Sequence, residues 1–193
     1  MNDLGPWRPY AVDRVVEVMD GITDDWWLSG GEALDRFVGR RTREHGDVDV
    51  SIPTAHSDAV TERLAERFDV RIASRGRLHP LADAAAVGAV HNLWVREAEG
   101  RPWRLQVNLE PCDAATWTYR RYPRVTRPRT DAVVTLGGVP CTAPAVQLLW
   151  KAKAPTGKDE LDRAVVGPQL PEVERVWLAD AIALAHPASP WRR

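Results

Sequence analysis

Two short apolar runs, one ending at a glycine pair and one carrying two aspartates, constrain the fold of this chain most. The first run is Trp26–Leu28, followed by Ser29–Gly31, and the second is Asp47–Val50, with fifteen residues between the last glycine and Asp47. Apolar runs of this length are typical of buried strands. In a strand, side chains i and i+2 project from the same face. The second run therefore predicts Asp47 and Asp49 side by side, with its two valines on the opposite face.

This pair of acids and the glycine turn before it together predict a site for a metal and a phosphate. Neighbouring carboxylates repel each other, and an unpaired one is costly to bury. A divalent cation such as Mg²⁺ relieves both problems, because it takes hard oxygen ligands and bridges to phosphates. A glycine turn offers backbone N–H groups and a close approach. Taken alone, two acids at this spacing are more often solvated side chains at a strand end, but the glycine turn favours metal-assisted transfer of a nucleotide.

Charge and cysteine content exclude several classes of protein. The 193 residues carry 26 Lys and Arg against 27 Asp and Glu, for a formal net charge of −1. This balance disfavours nucleic acid or a membrane as the main partner. The two cysteines, Cys112 and Cys141, form no recognisable ligand set and fit a reducing compartment. We therefore expect a cytoplasmic protein without a signal peptide or membrane span, and the sequence gives no indication of its oligomeric state.

The hydrophobic pattern predicts an α+β fold, with a mixed β-sheet flanked by helices and a C-terminal helical part. Strands are predicted at 26–29, 47–52 and 70–73, in a hairpin of 90–95 with 103–110, and in a second hairpin over 132–141. Helices are predicted at about 10–21, 32–38, 54–67, 145–154, 158–166 and 171–185. Residues 74–89 are predicted to form a loop. We expect a catalytic domain over residues 1–142 and a C-terminal helical part over 143–193, packed on it.

Residues 26–35 and 39–50 resemble the N-terminal signature of the aminoglycoside 2''-adenylyltransferase branch of the nucleotidyltransferase superfamily, to which lincosamide nucleotidyltransferases are related. The matching letters are WWLSGGEALD and GRRTREHGDVDV. Weaker likeness continues through 110–111, 147–153 and 158–162. The resemblance implies a polymerase-beta-like fold and an antibiotic-resistance enzyme. Such an enzyme uses Mg²⁺ to transfer a nucleoside monophosphate, AMP when the co-substrate is ATP, to a hydroxyl and releases pyrophosphate.

The resemblance assigns catalysis and metal binding to Asp47 and Asp49, together with a third carboxylate on a neighbouring strand. In the candidate strand, Gln106, Asn108 and Glu110 share a face by alternation. Antibiotic-modifying relatives place an aspartate where this chain has Asn108, and an amide cannot act as a base. Glu110 would then serve as the third catalytic and metal-binding acid, unless it merely ends the strand. The alternative is a nucleotide-binding or partner-binding protein of the same fold with weak or no activity.

The resemblance also implies a set of nucleotide-binding residues around the glycine turn and in a later helix. An arginine fork binds phosphate oxygens bidentately, although any one of these basic side chains is more often simply solvated. The predicted nucleotide-binding residues are Ser29, Gly30, Gly31, Arg40, Arg43 and Lys158.

The expected partners are a nucleoside triphosphate and a hydroxylated small-molecule acceptor, such as an aminoglycoside. Because aminoglycosides are polycations, such an acceptor requires an acidic wall, for which the candidates are Asp159, Glu160 and Asp162. A rival hypothesis is a nucleotidyltransferase that acts on RNA or on a protein. Its only support is the arginine-rich run Arg120–Arg129, which is otherwise predicted to be a solvated loop.

Overall fold

The computed structural model describes residues 4–192, which fold into two compact units made of separated segments. The first unit contains the chain up to Trp27 and His45–Cys112, and the second contains Leu28–Glu44 and the chain from Asp113 onward. Each unit combines a small sheet with helices, which confirms the predicted α+β class. The domain boundary predicted between residues 142 and 143 falls inside the second unit.

The secondary-structure elements are numbered along the chain. The helices are α1 Val12–Asp20, α2 Gly30–Val38, α3 Ser57–Ala65, α4 Ala84–Val87, α5 Arg129–Ala132, α6 Pro144–Lys151, α7 Gly157–Val166 and α8 Glu172–Ala185. The strands are β1 Trp27–Ser29, β2 Asp49–Pro53, β3 Asp69–Ser74, β4 Arg77–Pro80, β5 Asn92–Arg96, β6 Leu105–Glu110, β7 Thr116–Thr118, β8 Thr126–Pro128, β9 Val133–Leu136 and β10 Val139–Thr142.

The first unit has a mixed sheet in which the strand order is β4-β3-β5-β6-β2. β2 pairs with β6 in parallel, and the other three pairings are antiparallel. The antiparallel pairing of β5 with β6 confirms the predicted hairpin of 90–95 with 103–110. The core of this unit combines apolar side chains of α1 and α3 with the alternate positions of the strands. Its buried members include Val15, Met19, Leu64, Val50, Ile72, Val95, Leu105 and Val107.

The segment 74–89, predicted as a loop, instead contains β4, a 3-10 turn at 81–83 and α4. A two-residue turn, Arg75-Gly76, joins β3 to β4, and both of its residues have positive φ angles of 50° and 71°. This geometry matches a type I′ hairpin turn, for which Asn-Gly and Asp-Gly are the usual sequences. The hairpin was missed because an arginine stands at the first turn position.

The second unit contains β1, β10 and β9, and a separate ribbon of β7 with β8. Leu28 of β1 pairs in parallel with Cys141 of β10. β10 and β9 form the second predicted hairpin, which turns at Gly137 and Gly138 with positive φ angles of 55° and 78°. The three predicted C-terminal helices are confirmed as α6, α7 and α8, and α6 packs against α2, α7 and α8. Their inward side chains, such as Val146, Leu148 and Leu149, are fully buried.

Both cysteines are buried thiols outside any disulfide. Burial raises the pKa of the Cys141 thiol to about 11. Within residues 4–192, the helices are all too short or too polar to cross a membrane.

Candidate functional site

The parallel pairing of β2 with β6 sets Asp49 and Glu110, two of the three predicted acids, on one face of the first unit's sheet. The register sets Asp49 opposite Gln106, Ser51 opposite Asn108 and Pro53 opposite Glu110. Paired residues on adjacent strands project from the same face, so these polar side chains lie together. The valines between them are buried on the other face, as the alternation predicts.

Asp47 and Asp49 differ in their surroundings. Asp47 precedes β2 and is exposed, whereas Asp49 is the first residue of the strand and is half-buried. The Asp49 Oδ1 atom accepts a hydrogen bond of 2.6 Å from Gln106 Nε2 and one of 3.3 Å from Asn108 Nδ2. Two side-chain amides therefore hold the second aspartate in a fixed orientation.

An indole determines which way the Gln106 amide points. Trp94 Nε1 donates a hydrogen bond of 2.7 Å to Gln106 Oε1. Because an indole N–H can only donate, the glutamine oxygen must face Trp94 and its NH₂ must face the acid. The same NH₂ also donates to Asn108 Oδ1 at 2.9 Å. Trp94 and Gln106 thus position Asp49 and Asn108, a role that sequence reasoning missed because it depends on strand pairing.

Glu110, the predicted third acid, lies at the end of β6 and is only 4% exposed. Its Oε1 atom accepts a hydrogen bond of 2.8 Å from the Ser51 hydroxyl. The three predicted acids thus differ in burial and are not brought together: Asp47 precedes β2 and is solvated, Asp49 begins β2 and is half-buried, and buried Glu110 lies four residues further along the register, about 13 Å along the strands. Asn108 lies one alternation before Glu110 on β6.

In the second unit, the glycine turn is the point at which β1 becomes α2. α2 begins at Gly30, two residues earlier than predicted, and Gly30 has a φ angle of +70°. The Ser29 hydroxyl lies 2.7 Å from the Thr142 hydroxyl, and the Gly30 N–H donates to Gln147 Oε1 at 2.9 Å. The first N–H groups of a helix have no partners within the helix, so this end of α2 attracts anions.

The predicted basic nucleotide ligands have different environments within this unit. Arg40 follows α2 and is exposed, and Lys158 is exposed in the first turn of α7. Arg43 instead forms a bidentate pair with Asp162, with distances of 2.8 Å from Nε and 2.9 Å from Nη2. Hydrogen bonding to Asp162 raises the pKa of Arg43. The guanidinium also donates to the Glu44 carbonyl, so it is held on the protein itself.

Asp159 and Asp162, two of the acids considered for a cationic acceptor, are both neutralised within the second unit. Lys151 Nζ lies 2.8 Å from Asp159 and 2.9 Å from Asp162. Burial alone would raise the pKa of Asp159, but hydrogen bonds from Lys151 and Thr156 outweigh it and lower the pKa to about 2. Burial and the Arg43 and Lys151 bonds act in the same opposing way on Asp162, whose pKa is also lowered. Glu160 accepts a hydrogen bond from the Trp191 indole.

The arginine-rich run is partly built into the second unit and partly solvated, with Arg121 and Arg124 exposed. It contains β8, and Arg127 is buried and bidentate with Glu174 at 2.7 and 3.1 Å. Arg120 and Arg121 lie over the Trp150 ring, and Arg121 also donates to the Trp150 carbonyl. These contacts give the arginines structural partners and reduce the support for an RNA-binding surface.

Comparison with known families gives a match over most of the chain. The family model for aminoglycoside-2''-adenylyltransferase matches residues 11–166. A lincosamide resistance protein of Staphylococcus haemolyticus is 27% identical over 52 residues, which are 27% of this chain and 32% of that protein. The chain therefore spans about a third of the length of that curated relative.

Solved structures with low sequence identity share the fold. The lincosamide antibiotic adenylyltransferase LnuA, bound to lincomycin, is 19% identical, with 81% of this chain and 92% of that one covered and a TM-score of 0.52. ANT(2'')-Ia in complex with adenylyl-2''-tobramycin is 16% identical, with 88% and 98% covered and a TM-score of 0.53. These similarities confirm the predicted nucleotidyltransferase fold.

Proposed function

Because this chain belongs to the aminoglycoside-2''-adenylyltransferase family, we propose that it transfers AMP from ATP to a hydroxyl of a small molecule and releases pyrophosphate. The observation that carries this proposal is Asp49 at the start of β2, where two amides of β6 hold its carboxylate and Asp47 precedes it by two residues. Two neighbouring carboxylates, one held and one solvated, are suited to binding a cation and moving a proton.

The oxygen-rich composition of this face fits Mg²⁺, which takes carboxylate, carbonyl and water oxygens. Asp47 and Asp49 would hold the ion, whereas Glu110, four residues beyond the Gln106 partner of Asp49, lies about 13 Å further along the strands. When bound, Mg²⁺ supplies positive charge beside the phosphates of ATP and offsets the charge of departing pyrophosphate. The Gln106 and Asn108 amides keep Asp49 in place at 2.6 and 3.3 Å, so the ligand is oriented before the ion arrives.

We propose that Asp49 accepts the proton of the acceptor hydroxyl, because the amide of Asn108 cannot and Glu110 lies about 13 Å along the strands from the level of Asp49. Glu110, the acid predicted for this role, is instead tied to β2 by the Ser51 hydroxyl at 2.8 Å. The hydroxyl oxygen would then form a bond to the α-phosphorus as the bond to pyrophosphate breaks.

In the second unit, the helix start at Ser29, Gly30 and Gly31 supports a role in binding phosphate through backbone N–H groups. Exposed Arg40 and Lys158 are proposed as further phosphate contacts. For Arg43, the bidentate pair with Asp162 favours support of the segment after α2 over direct contact with ATP.

The test is a double variant, Asp47→Asn with Asp49→Asn, measured by calorimetry with ATP and Mg²⁺. We expect Mg²⁺-dependent ATP binding and pyrophosphate release to be lost while the protein remains folded. The matched control is Asp13→Asn with Glu17→Gln, which removes two exposed carboxylates from the same unit. If the acid pair can be replaced without a change in Mg²⁺-dependent affinity, the metal site lies elsewhere.

Asn108 favours a second candidate function, nucleotide binding with little or no turnover. It donates to Asp49 where relatives are expected to carry an aspartate. In that case Mg²⁺ and ATP would still bind, but no acceptor would release pyrophosphate. Measuring binding and release on the same preparation separates the two functions.

A further inference from the structure

A cavity of about 570 Å³ opens beside β4, at the end of the first unit's sheet. We define the arginine pocket as the part of its lining formed by Arg71, Arg77, Arg96 and Trp103. We propose that the arginine pocket binds an anionic group, a carboxylate or a phosphate, and that this group belongs to the acceptor. The assignment to the acceptor rests on the proposed function, whereas anion binding by the pocket does not.

Two of the three arginines are oriented by a single carboxylate. Asp69 accepts hydrogen bonds from Arg71 Nε at 2.8 Å and from Arg96 Nε at 2.6 Å. Arg96 also stacks over the Trp103 ring at 4.3 Å. Their side chains are 26% and 14% exposed, so both are partly buried and still reachable from solvent. A guanidinium that is held in this way loses little conformational entropy when it binds an oxyanion.

Positive charge dominates the pocket. Asp69 is shared between two arginines. Glu99, which also lines the cavity, is 83% exposed and 3.5 Å from Arg71 Nη2, and an exposed pair of this kind is weak in water. Arg77 is exposed, and its side chain makes no hydrogen bond or ion pair with any residue between 4 and 192. The three guanidinium groups carry one more positive charge than the two carboxylates neutralise, and this net positive charge favours binding of an anion.

A continuous row of paired residues links the pocket to the acids. Asp49, Gln106, Trp94 and Arg71 are consecutive partners on β2, β6, β5 and β3, so all four project from the same face. At about 4.8 Å between strands, the backbones of Asp49 and Arg71 are about 14 Å apart. An acceptor of this length could place a hydroxyl near Asp49 and an anionic group near Arg71.

The middle of this row offers an aromatic surface. Trp94 is half-buried and packs edge-on against Trp7 and Trp103, with centroid distances of 4.9 and 5.5 Å. Indole rings bind the apolar faces of rings in ligands. With Asp159 and Asp162 neutralised in the second unit, these features favour an acceptor with a ring and an anionic group over a polycation.

Binding of inorganic phosphate to the full chain tests the pocket without ATP or turnover. We would follow amide and indole NMR signals during a phosphate titration of the unaltered protein, Arg77→Gln, Arg77→Lys and the control Arg75→Gln. Arg75 is also exposed in the same hairpin but does not line the pocket. We expect the dissociation constant to rise about tenfold in Arg77→Gln, by less in Arg77→Lys, and to stay unchanged in Arg75→Gln. If Arg75→Gln and Arg77→Gln weaken phosphate binding equally, or if phosphate binds as an adventitious ion only, the proposal that the arginine pocket is an anion site is wrong.

A matched acceptor series tests the link to the proposed function. One hydroxylated ring compound would be compared in carboxylate, amide and amine forms, with pyrophosphate release as the readout. We expect the carboxylate form to have the highest kcat/KM and Arg77→Gln to raise its KM about tenfold without a matching fall in kcat. Faster turnover of the amine form overturns the acceptor assignment. If none of the acceptor forms leads to pyrophosphate release but phosphate binding still depends on Arg77, the proposed function is rejected and the anion site is retained.

Discussion

At the scale of single residues, the environment of Asp49 distinguishes this chain from the pattern that its resemblance implies. Asn108 supplies an amide where a carboxylate is expected, and Gln106 supplies a second amide to the same Asp49 oxygen. Amide donors stabilise the charged form of an acid, whereas a third carboxylate would repel it unless a cation were bound. The Asp49 carboxylate can therefore stay charged and oriented before Mg²⁺ binds.

This arrangement predicts the effect of Asn108→Asp. Without metal, a carboxylate beside Asp49 should lower the free energy of unfolding by about 1–3 kcal/mol, because a donor is lost and like charges meet. Added Mg²⁺ should restore most of the loss, and pyrophosphate release should rise. Thermal unfolding with and without Mg²⁺ measures the first effect. Asn108→Ala is the control, since it removes the donor without adding charge. Equal losses in both variants, with no response to Mg²⁺, would contradict this account.

At the scale of secondary-structure elements, α7 is fastened to the segment after α2 through buried charges. Asp162 is 2% exposed and pairs with both Arg43 and Lys151. Removing one partner of a buried ion pair leaves the other charges uncompensated, which is more costly than losing the pair as a whole. The network therefore makes the position of α7 depend on Arg43, which is 119 positions away from Asp162 in sequence.

We expect Asp162→Asn to lower the free energy of unfolding by about 3–5 kcal/mol. The control, Glu17→Gln, breaks the exposed pair of Arg14 with Glu17 and should cost less than about 1 kcal/mol. Urea denaturation of both variants measures the difference. A loss for Asp162→Asn no larger than that of the control would show that the network contributes little.

The start of α7 should also make the protein sensitive to acid. Asp159 accepts hydrogen bonds from the Thr156 N–H and hydroxyl at 2.9 and 2.6 Å, and its pKa is lowered to about 2. A carboxyl with a lowered folded pKa stabilises the protein above its unfolded pKa of about 3.9, and this stabilisation is lost as the pH falls. We expect the free energy of unfolding to fall between about pH 4 and pH 2. Asp159→Asn should flatten this part of the pH profile, and an unchanged slope would exclude Asp159 as its source.

The elements that sequence predicts well are those whose signals are local. Alternating apolar residues gave β6, and the pair Gly137-Gly138 gave the hairpin of β9 and β10. β4 and the ribbon of β7 with β8 were missed because they are short and have atypical turns. The acids were found from alternation along β2, but the contact of Gln106 with Trp94 and Asp49 depends on which strands pair, and no local signal encodes it.

At the scale of the whole molecule, neither unit is a continuous stretch of chain, and the chain passes between them three times. The second unit needs Leu28–Glu44 for α2, for the β1 residues that pair with β10 and for the Arg43 partner of Asp162. A fragment of residues 113–193 lacks all three.

We therefore expect the 113–193 fragment not to fold cooperatively by itself. Its urea transition should be broad and its amide NMR spectrum poorly dispersed, and a peptide of residues 28–44 added in trans should sharpen both. A peptide of the same composition in scrambled order is the control. A sharp transition of the fragment alone would show that residues 28–44 are dispensable for this unit.

The same interleaving has a consequence for synthesis on the ribosome. Residues 28–44 emerge first, but the rest of their unit begins only at Asp113. At 5–20 residues per second, making residues 45–112 takes about 3 to 14 seconds. During that interval Ala33 and Leu34, which are buried in the folded protein, lack the partners that cover them. We therefore expect the yield of native protein to depend on the pace of elongation between residues 45 and 112.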